Sequence, residues 1–127
     1  MSVSDRNTDW RKKLREEIKG KARTEIERVK MPERAASERV KSQRLEVNTG
    51  LTEEMARREA SRCMDCVNPT CMEGCPVGID IPGFIKNIER GEIGEAAAVL
   101  KQTSALPAVC GRVCPQEKQC ESKCFYL

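Results

Sequence analysis

The amino-acid sequence predicts an all-α fold whose loops carry metal-binding cysteines, and three observations predict it. No segment alternates apolar and polar residues with the period of two that a half-buried strand requires. Several segments instead repeat apolar residues at helical spacing between capping residues. All eight cysteines lie in the second half of the chain. The whole chain has only one Trp, one Tyr and two Phe from which to build a core. A metal staple is therefore expected to replace a large apolar core.

Residues 1–50 are predicted to form a charged helical leader. Between Asp9 and Lys30, apolar residues recur at steps of three and four among Arg, Lys and Glu, namely at Trp10, Leu14, Ile18, Ala22, Ile26 and Val29. This pattern predicts one amphipathic helix. Gly20 within it costs about 1 kcal/mol relative to Ala, so the helix needs a partner surface. A docking helix, a helix packed on its own domain and a partly disordered leader all fit this pattern.

A second short helix is predicted from Pro32 to about Arg44, because proline suits the first helical position. The triplet of residues 48–50, Asn-Thr-Gly, indicates a turn and the start of a cysteine-rich helical domain, residues 51–127. Its first helix begins after Thr52, a good capping residue, and runs to about Cys63.

Two further helices are predicted in this domain. Asp80 followed by Pro82 indicates a helix start, and Gly91 indicates its end. The apolar face of this helix is predicted to consist of Phe84, Ile85 and Ile88. The Ala-rich segment 93–101 predicts the last helix, and loops are expected to carry the cysteines.

The charge distribution restricts the partners. The net charge is +3, with 17 basic and 12 acidic residues in 1–62 and 6 and 8 in 63–127. Basic residues diluted by acids are typical of a solvated helix surface and argue against nucleic-acid binding. The sequence has neither an apolar run of membrane-spanning length nor a secretory leader pattern, so we expect a cytoplasmic protein without membrane contact. Cytoplasmic thiols stay reduced, which favours metal binding over disulfides.

The cysteines fall into two runs. The first, residues 63–76, reads C-x2-C-x4-C-x3-C-P, and the second, residues 110–124, reads C-x3-C-P-x5-C-x3-C. The bacterial ferredoxin pattern C-x2-C-x2-C-x3-C-P differs from the first run by two residues in one gap, and its last Cys binds the other cluster. Gly74 and Gly111 are expected to permit close backbone approach. Structural zinc remains a rival, although the chain has one C-x2-C pair and no His.

Four segments carry a resemblance to a known family: EASRC at 59–63, GCPVGIDIP at 74–82, LPAVCGRVCP at 106–115 and CE at 120–121. From about residue 51 to 124 the chain resembles the N-terminal iron-sulfur domain of the small (beta) subunit of NADPH-dependent glutamate synthase, shared with dihydropyrimidine dehydrogenase. The resemblance implies an alpha-helical ferredoxin-like domain with two 4Fe-4S clusters. One would be held by Cys63, Cys66, Cys71 and Cys124, and the other by Cys75, Cys114 and Cys120.

The fourth ligand of the second cluster is open. In the family it is a Gln or a carboxylate beyond the last cysteine, whereas this sequence ends at Leu127. Cys110 would then be a neighbour of the cluster and not a ligand. Either the second cluster is incomplete, or Cys110, Gln119 or solvent takes the place of the missing ligand.

The implied function is electron transfer within a larger oxidoreductase. In the family, downstream domains of the same chain bind FAD and NADPH, and a large glutamate synthase-type subunit or another redox partner receives the electrons. This sequence has no G-x-G-x-x-G dinucleotide fingerprint, so it is expected to be an excised N-terminal domain without catalysis of its own. The alternative is a metal-stapled interaction domain whose clusters or zinc have no redox role. Glu73, Glu117 and Glu121 are expected to be surface or tuning charges and not catalytic acids.

Overall fold

The structure is a computed structural model that describes residues 4–125. The outer ends of the two predicted parts, residues 1 and 127, lie outside this range, and the division into 1–50 and 51–127 stays a prediction. The seven α-helices of the described residues are α1 Asp9–Glu17, α2 Gly20–Thr24, α3 Ala36–Arg39, α4 Glu53–Ser61, α5 Ile81–Glu89, α6 Ile93–Lys101 and α7 Pro107–Val113. Single 3-10 turns lie at Thr70–Met72, Gln116–Lys118 and Glu121–Lys123. Residues 4–125 contain no strand, and the all-α prediction is confirmed.

Helices α4, α5 and α6 form the centre of the fold, with α5 packed against both others. The predicted caps are present: the Thr52 hydroxyl accepts from the Met55 amide at 3.2 Å, and the Asp80 carboxylate accepts from the Gly83 amide at 3.0 Å. Gly91 ends α5 with φ +88°, a left-handed conformation that favours glycine. These helices fix the positions from which the cysteine loops leave.

The interior of the described structure is mainly polar. Its buried apolar side chains are small, namely Ala60, Pro82 and Ala96, whereas the buried charged residues are Arg11, Arg23, Asp65, Asp80, Lys86 and Glu89. The three residues of the predicted apolar face of α5, Phe84, Ile85 and Ile88, are all half-buried. The helix buries Lys86, Asn87 and Glu89 more completely. Charged groups therefore fill much of the interior, which agrees with the small apolar core that the sequence predicts.

The predicted single helix over residues 9–30 is wrong. Helix α1 ends at Glu17, the backbone is extended at Ile18, and α2 ends at Thr24. The Arg23 side chain explains the break, since its guanidinium donates to the Leu14 carbonyl at 2.5 Å and to the Ile18 carbonyl at 2.9 Å. A charged side chain thus satisfies the Ile18 carbonyl, which a helical amide would otherwise bond, and Gly20 lowers the cost of the bend.

The predicted helix from Pro32 to Arg44 is also wrong, because only α3 is helical there. The carbonyl of Pro32 accepts from the Thr49 amide at 2.9 Å, next to an isolated antiparallel bridge between Glu33 and Asn48. The turn at 48–50 is confirmed: the Gly50 amide donates to the Asn48 side chain at 2.8 Å. The segment 33–48 is therefore a closed loop and not a straight helix.

Helix α7 was not predicted, and it places Cys110 on a helix where a loop was expected. Pro107 at its first turn was the available signal, since proline is pre-organised for that position. No helix within residues 4–125 is long and apolar enough to cross a membrane.

Replacing Arg23 with Met should destabilise the fold by about 3 kcal/mol, because Glu89 and several carbonyls would lose a buried cationic donor. Urea denaturation of the reduced protein measures this change. The control is Arg39→Met, whose partner Glu33 is exposed and which should cost less than about 1 kcal/mol. Equal effects of the two variants would contradict a structural role for the buried pair.

Candidate metal centre

The first cysteine run leaves the C-terminal end of α4. The Cys63 amide donates to the Ala60 carbonyl at 3.1 Å, so the cysteine completes the last turn. Asp65 then adopts φ +52°, which Asp tolerates better than most side chains, and this turns the chain back toward Cys66. Cys71 lies in the 3-10 turn Thr70–Met72, and Cys75 follows it. All four cysteines are half-buried.

The second run is built on α7 and the two 3-10 turns after it. Cys110 lies within α7 and Cys114 is its C-cap, so these two residues are one helical turn apart. Cys120 and Cys124 flank the turn Glu121–Lys123. These four thiols are half-buried as well.

The two runs are in contact through their backbones. The Thr70 hydroxyl donates to the Lys123 carbonyl at 2.5 Å. A Cβ at Gly74 would lie 2.5 Å from the Gln119 carbonyl oxygen and 3.0 Å from the Cys120 Cα, so only glycine fits there. The predicted close approach at Gly74 is confirmed. At Gly111 it is wrong, because that residue is helical and its Cβ would meet nothing within 4 Å.

Electrostatic coupling identifies which thiols are neighbours. The pKa of Cys71 is raised to about 12, mainly by burial and then by the nearby Cys63, Cys124, Cys66 and Cys120, in that order. Burial also raises the pKa of Cys63, while the Lys86 ammonium opposes the shift. Three of the neighbours of Cys71 are the residues that the resemblance groups with it, and Cys120 is the additional one.

The remaining thiols form a second neighbourhood. Burial raises the pKa of Cys114, followed by the charge and hydrogen bond of Cys110 and the charge of Cys75. Burial raises the pKa of Cys120 as well, and Cys75 adds to it. The Cys110 sulfur also lies 3.9 Å from the hydroxyl of the buried Ser104.

The donor set fits a cubane cluster by its chemistry. All eight cysteines are free, and soft thiolates are the usual ligands of iron-sulfur clusters. Among residues 4–125, no three Cys, Asp or Glu side chains are grouped so as to hold a single metal ion. A 4Fe-4S cluster does not require that convergence, because each thiolate binds its own iron at a separate corner. Thiols with raised pKa values would have to lose their protons on binding.

The charged residues near the second run serve as surface contacts. Arg112 donates to Glu46 at 2.6 Å, and this bond holds the pKa of Glu46 below its usual range. Arg112 therefore joins α7 to the leader. Glu121 accepts from Arg28 at 2.5 Å, and Glu73 and Glu117 are exposed, as expected for surface charges.

Sequence reasoning missed a set of buried charges beside the first run. The Asp65 carboxylate accepts from both Arg11 and Arg15 of α1. The Lys86 ammonium donates to the Cys63 carbonyl and, at 2.6 Å, to Glu89. The available signal was the spacing of Arg11 and Arg15 by four residues, which places both on one face of α1. The sequence-based prediction for this helix used only its apolar stripe and did not consider the two arginines.

Comparison with known proteins identifies the domain type. The family model described as dihydropyrimidine dehydrogenase domain II, 4Fe-4S cluster, matches residues 39–127. The chain belongs to this family. It is therefore a 4Fe-4S domain of an oxidoreductase type, which supports an electron-transfer module.

Several curated relatives are similar to the chain. The glutamate synthase [NADPH] small chain of Escherichia coli K12 is 41% identical over 100 residues, 79% of this chain and 21% of that protein. The putative oxidoreductase UacF of the same organism is 43% identical over 91 residues, 71% of this chain and 14% of that protein. The NAD-dependent dihydropyrimidine dehydrogenase subunit PreT of Escherichia coli K12 is 40% identical over 79 residues, 62% of this chain and 19% of that protein. The chain thus spans about a fifth or less of their length.

Replacing Gly74 with Ala should lower the iron content, because the new Cβ would push the Gln119 carbonyl and Cys120 away from the first run. Iron and sulfide per chain, measured after anaerobic purification, report this change. Gly111→Ala is the matched control, since its Cβ enters open space in a helix and should leave the iron content unchanged. Full iron loading of Gly74→Ala would contradict a tight junction between the runs.

Proposed function

We propose that this domain binds two 4Fe-4S clusters and transfers electrons one at a time between a flavin domain and a partner subunit. The observation that carries the proposal is the division of the thiols into two neighbourhoods that touch at Gly74 and Cys120. The first cluster takes Cys63, Cys66, Cys71 and Cys124. The second takes Cys75, Cys114 and Cys120, with Cys110, Gln119 and solvent as the candidates for its fourth ligand.

When bound, such clusters supply one-electron oxidation and reduction. The residues of this chain hold the two sites at a fixed separation. Cys75 belongs to the first run and serves the second cluster, so the chain crosses from one site to the other within the segment 71–75. The second run crosses in the opposite direction, because Cys120 serves the second cluster and Cys124 serves the first. The hydrogen bond from Thr70 to the Lys123 carbonyl holds this crossing against the first run. This double crossing links the sites and favours transfer between them.

The partners follow from the relatives. Two of the similar proteins are named as NADPH-dependent or NAD-dependent enzymes, and each is about five times as long as the matched part. We place FAD-binding and NADPH-binding domains after this one in the complete protein, and a large glutamate synthase-type subunit or another redox partner at the far side. The complete protein would act in the cytoplasm, in glutamate biosynthesis if that partner is present.

Metal analysis with spectroscopy tests the proposal. Iron, sulfide and zinc are measured on anaerobically purified protein, and electron paramagnetic resonance is recorded before and after dithionite. Near eight iron per chain with a reducible signal is the expected result. Near four would restrict the domain to one cluster. A redox-silent metal such as zinc would overturn the proposal and support a structural interaction domain.

Substituting single ligands should separate the thiols. Cys63→Ser and Cys124→Ser should each remove the first cluster and destabilise the domain, because metal binding and folding are coupled. Cys110→Ser should retain more iron, since it is expected outside the ligand set. Iron content and thermal unfolding of the three variants are compared with the parent protein. Equal iron loss in all three would place Cys110 among the ligands.

A further inference from the structure

Five basic side chains lie around the loop 63–66: Arg6, which donates to the Asp65 carbonyl at 2.5 Å, and Arg11, Arg15, Arg23 and Lys86. Arg11, Arg23 and Lys86 are at most 1% exposed, and Arg15 is 18% exposed. They share two carboxylates: Asp65 accepts from Arg11 and Arg15, and Glu89 accepts from Arg23 and Lys86. Asp80 lies one step further away, linked to Arg11 through the hydroxyl of Ser4.

The shared carboxylates leave basic groups directed at the backbone of the first cysteine run. Lys86 donates to the carbonyl of Cys63, and Arg23 donates to the carbonyl of Ser61. The other end of the loop is held by α1, since Arg11 and Arg15 bind the carboxylate of Asp65, which lies between Cys63 and Cys66. Glu89 offsets one of the two positive charges of Lys86 and Arg23, and the carbonyl oxygens bind their other donors without adding negative charge.

The second cysteine run has no such environment. Within residues 4–125, the buried charged side chains lie in α1, α2, the segment 65–80 and α5, and none lies in 102–125. Arg112, Lys118 and Lys123 are exposed to solvent, which screens their charge. The two thiol neighbourhoods therefore differ in the electrostatic field that acts on them.

We propose that Lys86 raises the reduction potential of the cluster at Cys63, Cys66, Cys71 and Cys124, and that Arg11 and Arg15 are positioning residues that hold the loop 63–66 beside it. This inference rests on the proposed function. Reduction adds one electron, supplied by the flavin domain or by dithionite in the test, and breaks no bond. The added negative charge is stabilised by a nearby buried cation, because charges interact strongly in a medium of low dielectric constant.

The leader is thereby part of the cluster site. The family model begins at residue 39, whereas Arg11 and Arg15 precede that match. Their side chains nevertheless reach Asp65 across 54 and 50 residues of sequence. A role in docking alone would not require these arginines to be directed into the domain.

A redox titration followed by electron paramagnetic resonance tests the proposal. Lys86→Met should shift the midpoint potential of one cluster to a lower value and leave the other unchanged. Lys101→Met is the matched control, since Lys101 is exposed at the end of α6, and neither potential should move. Unchanged potentials in Lys86→Met, or equal shifts of both clusters, would overturn the inference.

A second pair of variants keeps the test decisive if Lys86→Met does not retain iron. Arg15→Gln should lower the same midpoint potential by a smaller amount, and Arg15→Lys, which keeps the charge, should restore most of it. A parent-like potential in Arg15→Gln would then overturn the inference. Failure of the parent protein to show any reducible cluster would instead contradict the proposed function, so the two failures are distinguishable.

Discussion

The fold depends on the Asp65 carboxylate, which two arginines of α1 bind inside the structure. Asp65 is fully buried and lies between two cysteines, on a backbone turned into the left-handed region. An unpaired carboxylate in that place would be expensive, so α1 must be docked for the loop to keep its shape. The shape of the first cysteine run therefore depends on the position of the leader.

The same constraint explains how a chain with few aromatic residues stays folded. The buried apolar side chains of the described part are small, and charged groups fill much of the interior. Buried ion pairs give less net stability than apolar packing, but the loss of one partner is costly, which makes the arrangement specific. Bound clusters would supply stability that the small core lacks, since ligand binding and folding are coupled in such domains.

The sequence alone predicted the elements whose signals are local. The Thr52 and Asp80 caps, the Gly91 stop and the turn at 48–50 are governed by neighbouring residues, and each is present. One failure, the continuous helix predicted over 9–30, has a cause that is distant in sequence. Arg23 bends the leader to reach Glu89, 66 residues away, and periodicity carries no information about such a partner. The cysteine grouping came from resemblance, because spacing alone does not show which thiols meet.

The distance in sequence between the leader and its partners affects the order of folding. Ser4 binds Asp80 and Arg11 binds Asp65, contacts that close loops of 76 and 54 residues. Helix α1 has nine residues and is too short to be stable alone in water. During synthesis α1 is made before Asp65, Asp80 and α5, so its partners are missing until α5 has left the ribosome. The helices of the leader are therefore expected to become ordered after the segments that they bind.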